Sequence, residues 1–401
     1  MIGQDRKNEI IVDAESVSSR HARLTVMSDT EFVLEDLKSA NGTFVDGVSA
    51  AESQAANLDS VITIGTATLS FQRGGIPASV FQHLPPNCLR FPRYKLGEIV
   101  VQGSTSTIFA AQDTAIGRDV AMKVLLPGTQ SDPRQVIRFI REAQIAGQLQ
   151  HPGILPVYEF GLDDESRLFS VTRFVEGQTL GHVLDDLPAS EPLSHTLPAL
   201  IEIFQRVCEV VAYSHFRGII HGGLDPNMIT IGRYGEVFVG GWGNARILPA
   251  ADAVTPVVSA PELSAHPALG RYTTPEQAEG AHDTIDERTD IHALGDILYC
   301  ILTLRDAATG ETDEDLLDQA LSPRVAPAVA LAKQPPCRHW PNGKLPEFLS
   351  AIAMKALSVE REERHASVAD MQKELIAWRE GVATGEHGKL WKQFTGILGR
   401  H

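Results

Sequence analysis

The chain has 401 residues, which is enough for two or three domains with separate hydrophobic cores. Its formal net charge of -16 argues against nucleic acid as a partner, because such a surface needs clustered positive charge. The four cysteines (Cys88, Cys208, Cys300 and Cys337) show neither disulfide nor metal-type spacing, which favours a reducing, cytoplasmic location. No signal-peptide pattern and no apolar run of membrane-spanning length is visible.

The first part of the chain, residues 1–73, predicts short strands, because apolar and polar residues alternate and the turn dipeptides Asn41-Gly42 and Asp46-Gly47 punctuate them. Residues 74–92 contain paired glycines and prolines and are predicted to be a linker. Residues 93–382 begin with strand patterns and continue with helical ones, and residues 383–401 form a tail. The predicted long helices are Val136 to Gln150, Ile201 to Phe216 and Leu345 to Leu357.

Three motifs in residues 1–73 occur in a characteristic order: Ile2-Gly3-Gln4, Val17-Ser18-Ser19-Arg20-His21-Ala22 and Ser39-Ala40-Asn41-Gly42-Thr43-Phe44. This segment resembles a forkhead-associated (FHA) domain, whose pattern is Gly-Arg, then Ser-x-x-His, then Asn-Gly-Thr. The resemblance implies an all-β sandwich whose loops bind phosphothreonine proteins, since a phosphate dianion needs several hydrogen-bond donors. It places Ser18 at the phosphate, Asn41 at the peptide backbone, and Ser19 and Arg20 beside the pocket.

The segment departs from the FHA pattern in two ways. Gln4 stands where the family has its phosphate-binding arginine, and Arg6 is the candidate replacement. The chain also starts at the Gly-Arg position, so the first one or two strands of the sandwich are expected to be missing. His21 is expected to be a buried residue that braces the loops. Two alternatives stay open: the segment binds phosphopeptides, or it is a degenerate sandwich that only packs against the rest of the chain.

Residues 94 to about 382 resemble a protein kinase from end to end, which implies an α+β bilobal protein kinase-like fold. The resemblance rests on Val120-Ala121-Met122-Lys123, on Phe139-Ile140-Arg141-Glu142-Ala143 and on the hinge-like Leu168 to Gly177. Glu276, Asp290 and Arg364 match scaffold positions of the family, and Arg364 is expected to pair with Glu276. The resemblance implies these nucleotide-binding residues: Gly103 of a glycine-rich loop, Ala121, Lys123, Glu142, the gatekeeper Thr172 and Phe174 beside the adenine.

The catalytic positions of the family are altered. Gly223 replaces the Asp that accepts the substrate proton, and Met228 and Gly241 replace two magnesium ligands. Asp225 replaces the loop lysine. Glycine has no side chain to accept a proton, and a thioether is a poor ligand for a hard cation. The sequence therefore predicts a pseudokinase with no intact catalytic residue, no metal site and weak or no magnesium binding. ATP is a possible ligand, and two roles stay open for Lys123 and Glu142: an ATP clamp or a structural ion pair.

The overall interpretation is a multidomain signalling scaffold that recognises phosphothreonine proteins without efficient phosphotransfer. One alternative is an active serine/threonine kinase that uses the displaced residues Asp225, Asn227 or Asn244. Another is a purely structural assembly component. The tail carries Leu390, Trp391 and other apolar residues at helical spacing, and packing against the kinase-like region is favoured over association with a membrane surface.

Overall fold

The computed structural model describes residues 1–28, 31–70, 93–129, 132–163, 167–189, 194–248, 270–321, 325, 327–328 and 337–384. The predicted linker at 74–92 and residues 385–401 of the predicted tail lie outside the described residues. The chain divides into two compact units, Met1–Pro85 and Pro86–His401, and each is described by itself. No helix within the described ranges is both long and apolar enough to cross a bilayer.

The first unit consists of two β-sheets that share one core. Its strands are β1 (Ile2–Gly3), β2 (Ile10–Ile11), β3 (Ala22–Val26), β4 (Glu31–Asp36), β5 (Thr43–Val45), β6 (Val48–Ser49), β7 (Gln54–Asn57), β8 (Val61–Ile64) and β9 (Ala67–Ser70). One sheet has the order β2-β1-β3-β4-β7 and the other β6-β5-β8-β9. Ile2 and Leu34 of the first sheet and Ile62 and Ile64 of the second lie in the same buried cluster. The predicted sandwich is confirmed.

The second unit begins with a five-stranded antiparallel sheet and one long helix. The strands are β10 (Tyr94–Gln102), β11 (Ser106–Asp113), β12 (Arg118–Leu125), β13 (Val157–Leu162) and β14 (Leu168–Arg173), in the order β10-β11-β12-β14-β13. Helix α1 (Pro133–Gln148) starts after Asp132, whose carboxylate accepts a hydrogen bond from the Arg134 N–H, with Pro133 in the first turn. It therefore begins three residues before the position that apolar periodicity predicted.

The rest of the second unit is mainly helical. The helices are α2 (Leu180–Asp186), α3 (Leu197–Phe216), α4 (Pro275–Ala278), α5 (Glu287–Thr303), α6 (Asp313–Leu321), α7 (Glu347–Ala356) and α8 (Val368–Thr384). Short strands lie between them: β15 (Gly177–Thr179), β16 (Ile219–Ile220), β17 (Ile229–Gly232), β18 (Val237–Val239) and β19 (Arg246–Ile247). Helix α5 is buried along most of its length. A Cβ at its Gly295 would lie 2.8 Å from the Cβ of Ala356, so this glycine allows α7 to pack closely.

This arrangement confirms the predicted α+β bilobal architecture, with a β-sheet lobe followed by a helical lobe. The loop between β16 and β17 and the turn after β18 come together at one place, because β17 and β18 are hydrogen-bonded neighbours. The altered catalytic positions lie on these two segments.

Candidate functional site

Strand β12 and helix α1 bring together the first pair of predicted site residues. The ammonium nitrogen of Lys123 lies 2.8 Å from each carboxylate oxygen of Glu142. The two side chains keep 26% and 27% of their surface exposed. A lysine has three N–H donors, so two of them reach Glu142 and one is left for another acceptor. The predicted ion pair is formed, while its role in holding a nucleotide stays a prediction.

The candidate adenine side is built on the neighbouring strands. Ala121 of β12 lies directly opposite Thr172 of β14, and Phe174 follows the end of β14. All three residues are partly exposed. Gly103 lies at the turn between β10 and β11, where its N–H donates to the carbonyl of Ser106 at 3.0 Å. Ala121 thus lies on the same strand as Lys123, Thr172 on the paired strand β14, Phe174 just beyond β14, and Gly103 at the β10–β11 turn.

The loop after β16 is fixed by a buried aspartate. Asp290 of α5 accepts hydrogen bonds from the N–H groups of His221 and Gly222 at 2.7 and 2.8 Å. His215 of α3 also donates to it at 2.8 Å. Burial alone would raise the pKa of Asp290, but these donors outweigh it and hold the pKa below its usual range. The backbone of the loop is therefore held in place although Gly223 and Met228 stand at the positions of the family's Asp and Asn.

Gly223, at the position of the family's proton-accepting Asp, faces an asparagine. A Cβ built on Gly223 would lie 2.8 Å from the Nδ2 atom of Asn244 and 3.4 Å from its Cβ. Asn244 belongs to a 3₁₀ turn (Trp242–Asn244) that follows β18. Its amide therefore lies where the first atoms of a longer side chain at position 223 would be.

Gly241 and Met228 are in contact in the same way. Gly241 has a left-handed backbone conformation with φ of 81°. A Cβ built there would lie 3.0 Å from the Cγ atom of Met228 and closer still to its sulfur. Real Cβ atoms essentially never lie within 3.0 Å of such an atom, so the Met228 thioether would have to shift to admit a side chain at position 241. The side chain at one altered metal-binding position thus fills the space of the side chain missing at the other.

The displaced polar residues on the loop take part in local turn structure. The carboxylate of Asp225 accepts a hydrogen bond from the Asn227 N–H at 2.6 Å and caps the 3₁₀ turn Pro226–Met228. Burial raises the pKa of Asp225. The Asn227 amide oxygen accepts a hydrogen bond of 3.4 Å from Thr179. These contacts agree with turn chemistry around Pro226.

Trp242 stands at the position after the missing aspartate and is almost fully buried. Its ring lies 4.5 Å from that of His221, and its Nε1–H donates to the carbonyl of Val239. His221 donates through Nε2 to the carbonyl of Gly240 at 2.8 Å, and burial lowers its pKa, so the ring is held neutral. The turn after β18 is therefore packed into the helical lobe.

A second ion pair lies deep in the helical lobe. The two guanidinium nitrogens of Arg364 lie 2.9 and 3.0 Å from the two carboxylate oxygens of Glu276, and both side chains are almost fully buried. Thr289 also donates to Glu276 at 2.8 Å. Burial alone would raise the pKa of Glu276, but these donors hold it below its usual range. The predicted pairing of Arg364 with Glu276 is confirmed.

In the first unit, three loops meet at Ser18. Its hydroxyl accepts a hydrogen bond from the Ala40 N–H at 3.1 Å, and its carbonyl accepts one from the Gln4 N–H. Asn41 is exposed, and its amide donates to the carbonyl of Ser16 at 2.7 Å. The structure therefore brings together Ser18, Asn41 and the backbone of Gln4, the residue at the altered arginine position.

Buried His21 holds the same loops from inside. Its Nδ1 accepts from the Ser18 N–H and its Nε2 donates to the carbonyl of Gly42, both at 3.0 Å. It is fully buried, as the sequence predicted. Ser19, Arg20 and Arg6 are exposed, and the described contacts give no partner for the Arg6 side chain.

Two polar residues that hold the loops, Asp36 at the end of β4 and Asn8, were missed from the sequence. Asp36 accepts hydrogen bonds from the hydroxyl groups of Ser39 and Thr43, which outweigh its burial and lower its pKa. Asn8 is buried and donates to the carbonyls of Asp5 and Ser19. Both are ordinary polar residues in the sequence, and the signal that distinguishes them is burial, which requires the fold.

A family model described as "Protein kinase domain" matches residues 94–375, about 70% of the chain. The chain belongs to the protein kinase family. A second model, "FHA domain", matches residues 1–65. The chain is 32% identical over 338 residues to the serine/threonine-protein kinase PknD of Chlamydia muridarum, covering 76% of this chain and 34% of that protein.

Two further relatives are serine/threonine-protein kinases called PknB. The chain is 34% identical to that of Mycolicibacterium smegmatis, over 73% of this chain and 44% of the relative. It is 33% identical to that of Mycobacterium tuberculosis, over 72% of this chain and 43% of the relative. The chain thus spans less than half the length of these curated relatives.

Kinase domains act on ATP with magnesium, so the cleft is compared with both groups. For the nucleotide, the Lys123 ammonium with its third donor and the partly exposed side chains of Ala121 and Thr172, which lie opposite each other on paired strands, fit the expected contacts. For the cation, the side chains at the two family positions are a thioether and a hydrogen, which supply no oxygen ligand. Among the described residues no group of three or more histidine, cysteine, aspartate or glutamate side chains could hold a metal.

Proposed function

We propose that this protein is a signalling pseudokinase that recognises phosphothreonine proteins through its FHA domain and can hold ATP without efficient phosphotransfer. The observation that carries this proposal is the state of three cleft positions. Gly223 offers no proton acceptor, and Met228 and Gly241 offer no cation ligand. The proposal places the FHA domain at residues 1–73, a linker at 74–92 and the kinase-like domain at 93–382.

Loss of these side chains removes most of what accelerates phosphoryl transfer. The reaction depends on positioning of the nucleophile and on neutralisation of the developing phosphate charge by metal ions. The Lys123–Glu142 pair positions at most one cationic group near the phosphates. Magnesium is accordingly proposed to bind weakly or not at all. The relatives' kinase names describe those proteins. Whether this chain has the same activity depends on its own residues at these three positions.

The alternative of an active kinase needs a displaced acid to act as the base. Asp225 is the nearest candidate, but its carboxylate caps the turn at Pro226, and Asn227 is occupied with Thr179. A side chain displaced along the loop and engaged in a cap is poorly placed for proton transfer, which needs hydrogen-bond reach to the substrate. These contacts support the pseudokinase over an active enzyme.

Phosphotransfer from labelled ATP tests the proposal directly. The purified full-length chain is incubated with radiolabelled ATP, with magnesium and separately with manganese, with and without a general kinase substrate. We expect no incorporation above the background of a Lys123→Ala variant prepared in parallel. Incorporation by the wild-type protein that Lys123→Ala abolishes would show an active kinase and overturn the proposal.

The FHA part of the proposal rests on Ser18, Asn41 and the surrounding loops, whose hydrogen bonds hold one shared surface. A library of phosphothreonine peptides and their unphosphorylated counterparts, tested by fluorescence anisotropy, is the matching experiment. We expect weak binding that requires the phosphate group. Absence of phosphate-dependent binding throughout the library would favour a structural role for this domain.

A further inference from the structure

We infer that Met228 makes this cleft selective for a nucleotide without its divalent cation. The inference rests on the proposed function and concerns the same cleft. It assigns a role to Met228, which otherwise indicates only that the family's magnesium ligand is missing at this position. Its basis is the contact between Met228 and Gly241, two positions whose side chains would together hold a magnesium ion in an active kinase.

The first step is steric. A side chain at position 241 requires the Met228 side chain to move, because its Cβ would lie 3.0 Å from the Met228 Cγ and nearer to the sulfur. The backbone around the pair is also tied, since the Gly240 N–H donates to the Met228 carbonyl at 2.8 Å. The methionine therefore occupies the volume into which a carboxylate at position 241 would project.

The second step is chemical. The thioether is soft and apolar, whereas magnesium requires oxygen ligands in a near-octahedral arrangement and gives up its water reluctantly. A hydrated cation beside Met228 would lose ligands and gain none. Lys123 remains as a point charge with one donor beyond its two bonds to Glu142. The phosphates of a bare nucleotide can use that donor, while a cation adds nothing that the protein can hold.

The third step separates this idea from simple loss of two ligands. If glycine and methionine at these positions were independent losses, restoring the aspartate alone would begin to restore the cation site. If Met228 fills the site, Gly241→Asp must first displace the methionine, and only the double change Met228→Asn/Gly241→Asp opens room for a cation. The two positions are therefore expected to show strong energetic coupling.

A double-mutant cycle in the full-length chain tests the steric step. Gly241→Asp, Met228→Asn and the double variant are compared by thermal melting, with Gly235→Asp as the matched control. Gly235 has nearly the same φ of 82° but nothing within 4 Å of its Cβ, so it reports the backbone strain alone. We expect Gly241→Asp to melt about 3 °C or more below the control. In the Met228→Asn background that excess should disappear.

Equal melting temperatures of Gly241→Asp and Gly235→Asp would overturn the inference, because they would show that the methionine does not oppose a side chain at 241. Excess destabilisation that persists in the double variant would overturn it as well, because the methionine would then not be its cause.

The chemical step is tested by binding of ATP, measured by thermal shift and calorimetry in EDTA and in excess magnesium. For the wild-type protein we expect ATP binding in EDTA that magnesium leaves unchanged or weakens. For Met228→Asn/Gly241→Asp we expect magnesium to tighten ATP binding by about tenfold or more. Binding of ATP to the wild-type protein only with magnesium, or no binding in either condition, would overturn the inference.

The two proposals can fail separately. Wild-type protein that needs magnesium for ATP yet transfers no phosphate would overturn the role of Met228 and leave the pseudokinase standing. Phosphate transfer by the wild-type protein would overturn the proposal of a pseudokinase, whatever the result of the double-mutant cycle.

Discussion

Two ion pairs of the kinase domain have similar geometry and very different surroundings. Glu276 and Arg364 are 3% and 0% exposed and lie among the helices, with Thr289 as a further donor. Lys123 and Glu142 are 26% and 27% exposed and face the cleft. Both pairs have two short N–H···O contacts. Water reaches the second pair and not the first, so breaking them should have different consequences.

The difference separates what maintains the fold from what serves the cleft. A buried charge left without its partner is strongly destabilising, whereas a pair that water reaches contributes little to stability. In this chain the buried carboxylates of Glu276 and Asp290 both have hydrogen-bond donors, and the altered positions Gly223, Met228 and Gly241 lie on the two turns at the cleft. The altered positions are therefore distinct from the buried residues that maintain the kinase architecture.

The largest effect is expected from Arg364→Met. It leaves the Glu276 carboxylate buried without a cation, with the Thr289 hydroxyl and the Glu276 backbone N–H as donors, and we expect a loss of about 3–5 kcal/mol in the free energy of unfolding. Urea denaturation followed by circular dichroism measures it. Arg233→Met, which breaks the exposed pair with Glu176, is the control and should change stability little. A loss no greater than that of the control would contradict the distinction between the two pairs.

The same variant should change the pH dependence of stability. In the wild-type protein the pKa of Glu276 is lowered, so its stabilising contribution is present above its unfolded pKa and is lost as the pH falls through the folded pKa. In Arg364→Met burial without the cation raises that pKa, so the protonated form is favoured. The penalty of the substitution should therefore shrink between about pH 7 and about pH 5. Urea midpoints of both proteins across this range measure it, and a constant difference would contradict the assignment to Glu276.

A smaller effect is expected in the FHA domain from Gln4→Arg. The Gln4 N–H donates to the Ser18 carbonyl, so an arginine at this position starts beside the predicted phosphate site. One charge-assisted hydrogen bond contributes about 1.5–3 kcal/mol, and phosphothreonine peptides should bind about tenfold to hundredfold more tightly.

Anisotropy titrations should compare Gln4→Arg with Gln54→Arg, which adds the same charge on β7, at the other edge of the same sheet. Equal gains from the two variants would indicate a general charge effect. Tight wild-type binding that Arg6→Ala leaves unaffected would show that the phosphate contacts lie elsewhere.

Asp225→Ala should have a modest effect and no catalytic consequence. It removes the cap of the 3₁₀ turn Pro226–Met228, so the free energy of unfolding should fall by about 1 kcal/mol. Because the proposed pseudokinase has little phosphotransfer to lose, labelled-ATP incorporation should stay at background. A wild-type signal that vanishes in this variant at unchanged melting temperature would instead favour the active kinase with a displaced base.

Much of this architecture was readable from the sequence because its signals are local. The lysine strand, the helix glutamate and the Asn-Gly turns occur in short motifs with fixed order. Helix α1 starts three residues before the position that apolar periodicity predicts, because Asp132 caps it and Pro133 lies in its first turn.

The contact of Met228 with Gly241 could not be read in this way. The two residues are 13 positions apart and meet only because β17 pairs with β18. The same holds for Asn244 beside Gly223, which links the loop after β16 to the turn after β18. Sequence reasoning identified each altered position but treated it as an isolated loss, since side-chain volume across a strand pair is a property of the fold.

The smallest effect on stability is expected from Lys123→Met. This variant also tests most directly whether the exposed pair and the buried pair have different roles. Its partner Glu142 remains accessible to water, so the free energy of unfolding should change by no more than about 1 kcal/mol. The stabilisation by ATP should nevertheless disappear, because Lys123 supplies the proposed phosphate contact. The matched control is Lys355→Met, which breaks a pair of similar exposure and length with Glu374 in the helical lobe and should leave the ATP shift unchanged. If Lys123→Met unfolds as readily as Arg364→Met, the cleft pair is part of the structural framework; if the ATP shift survives, the nucleotide is held by other residues.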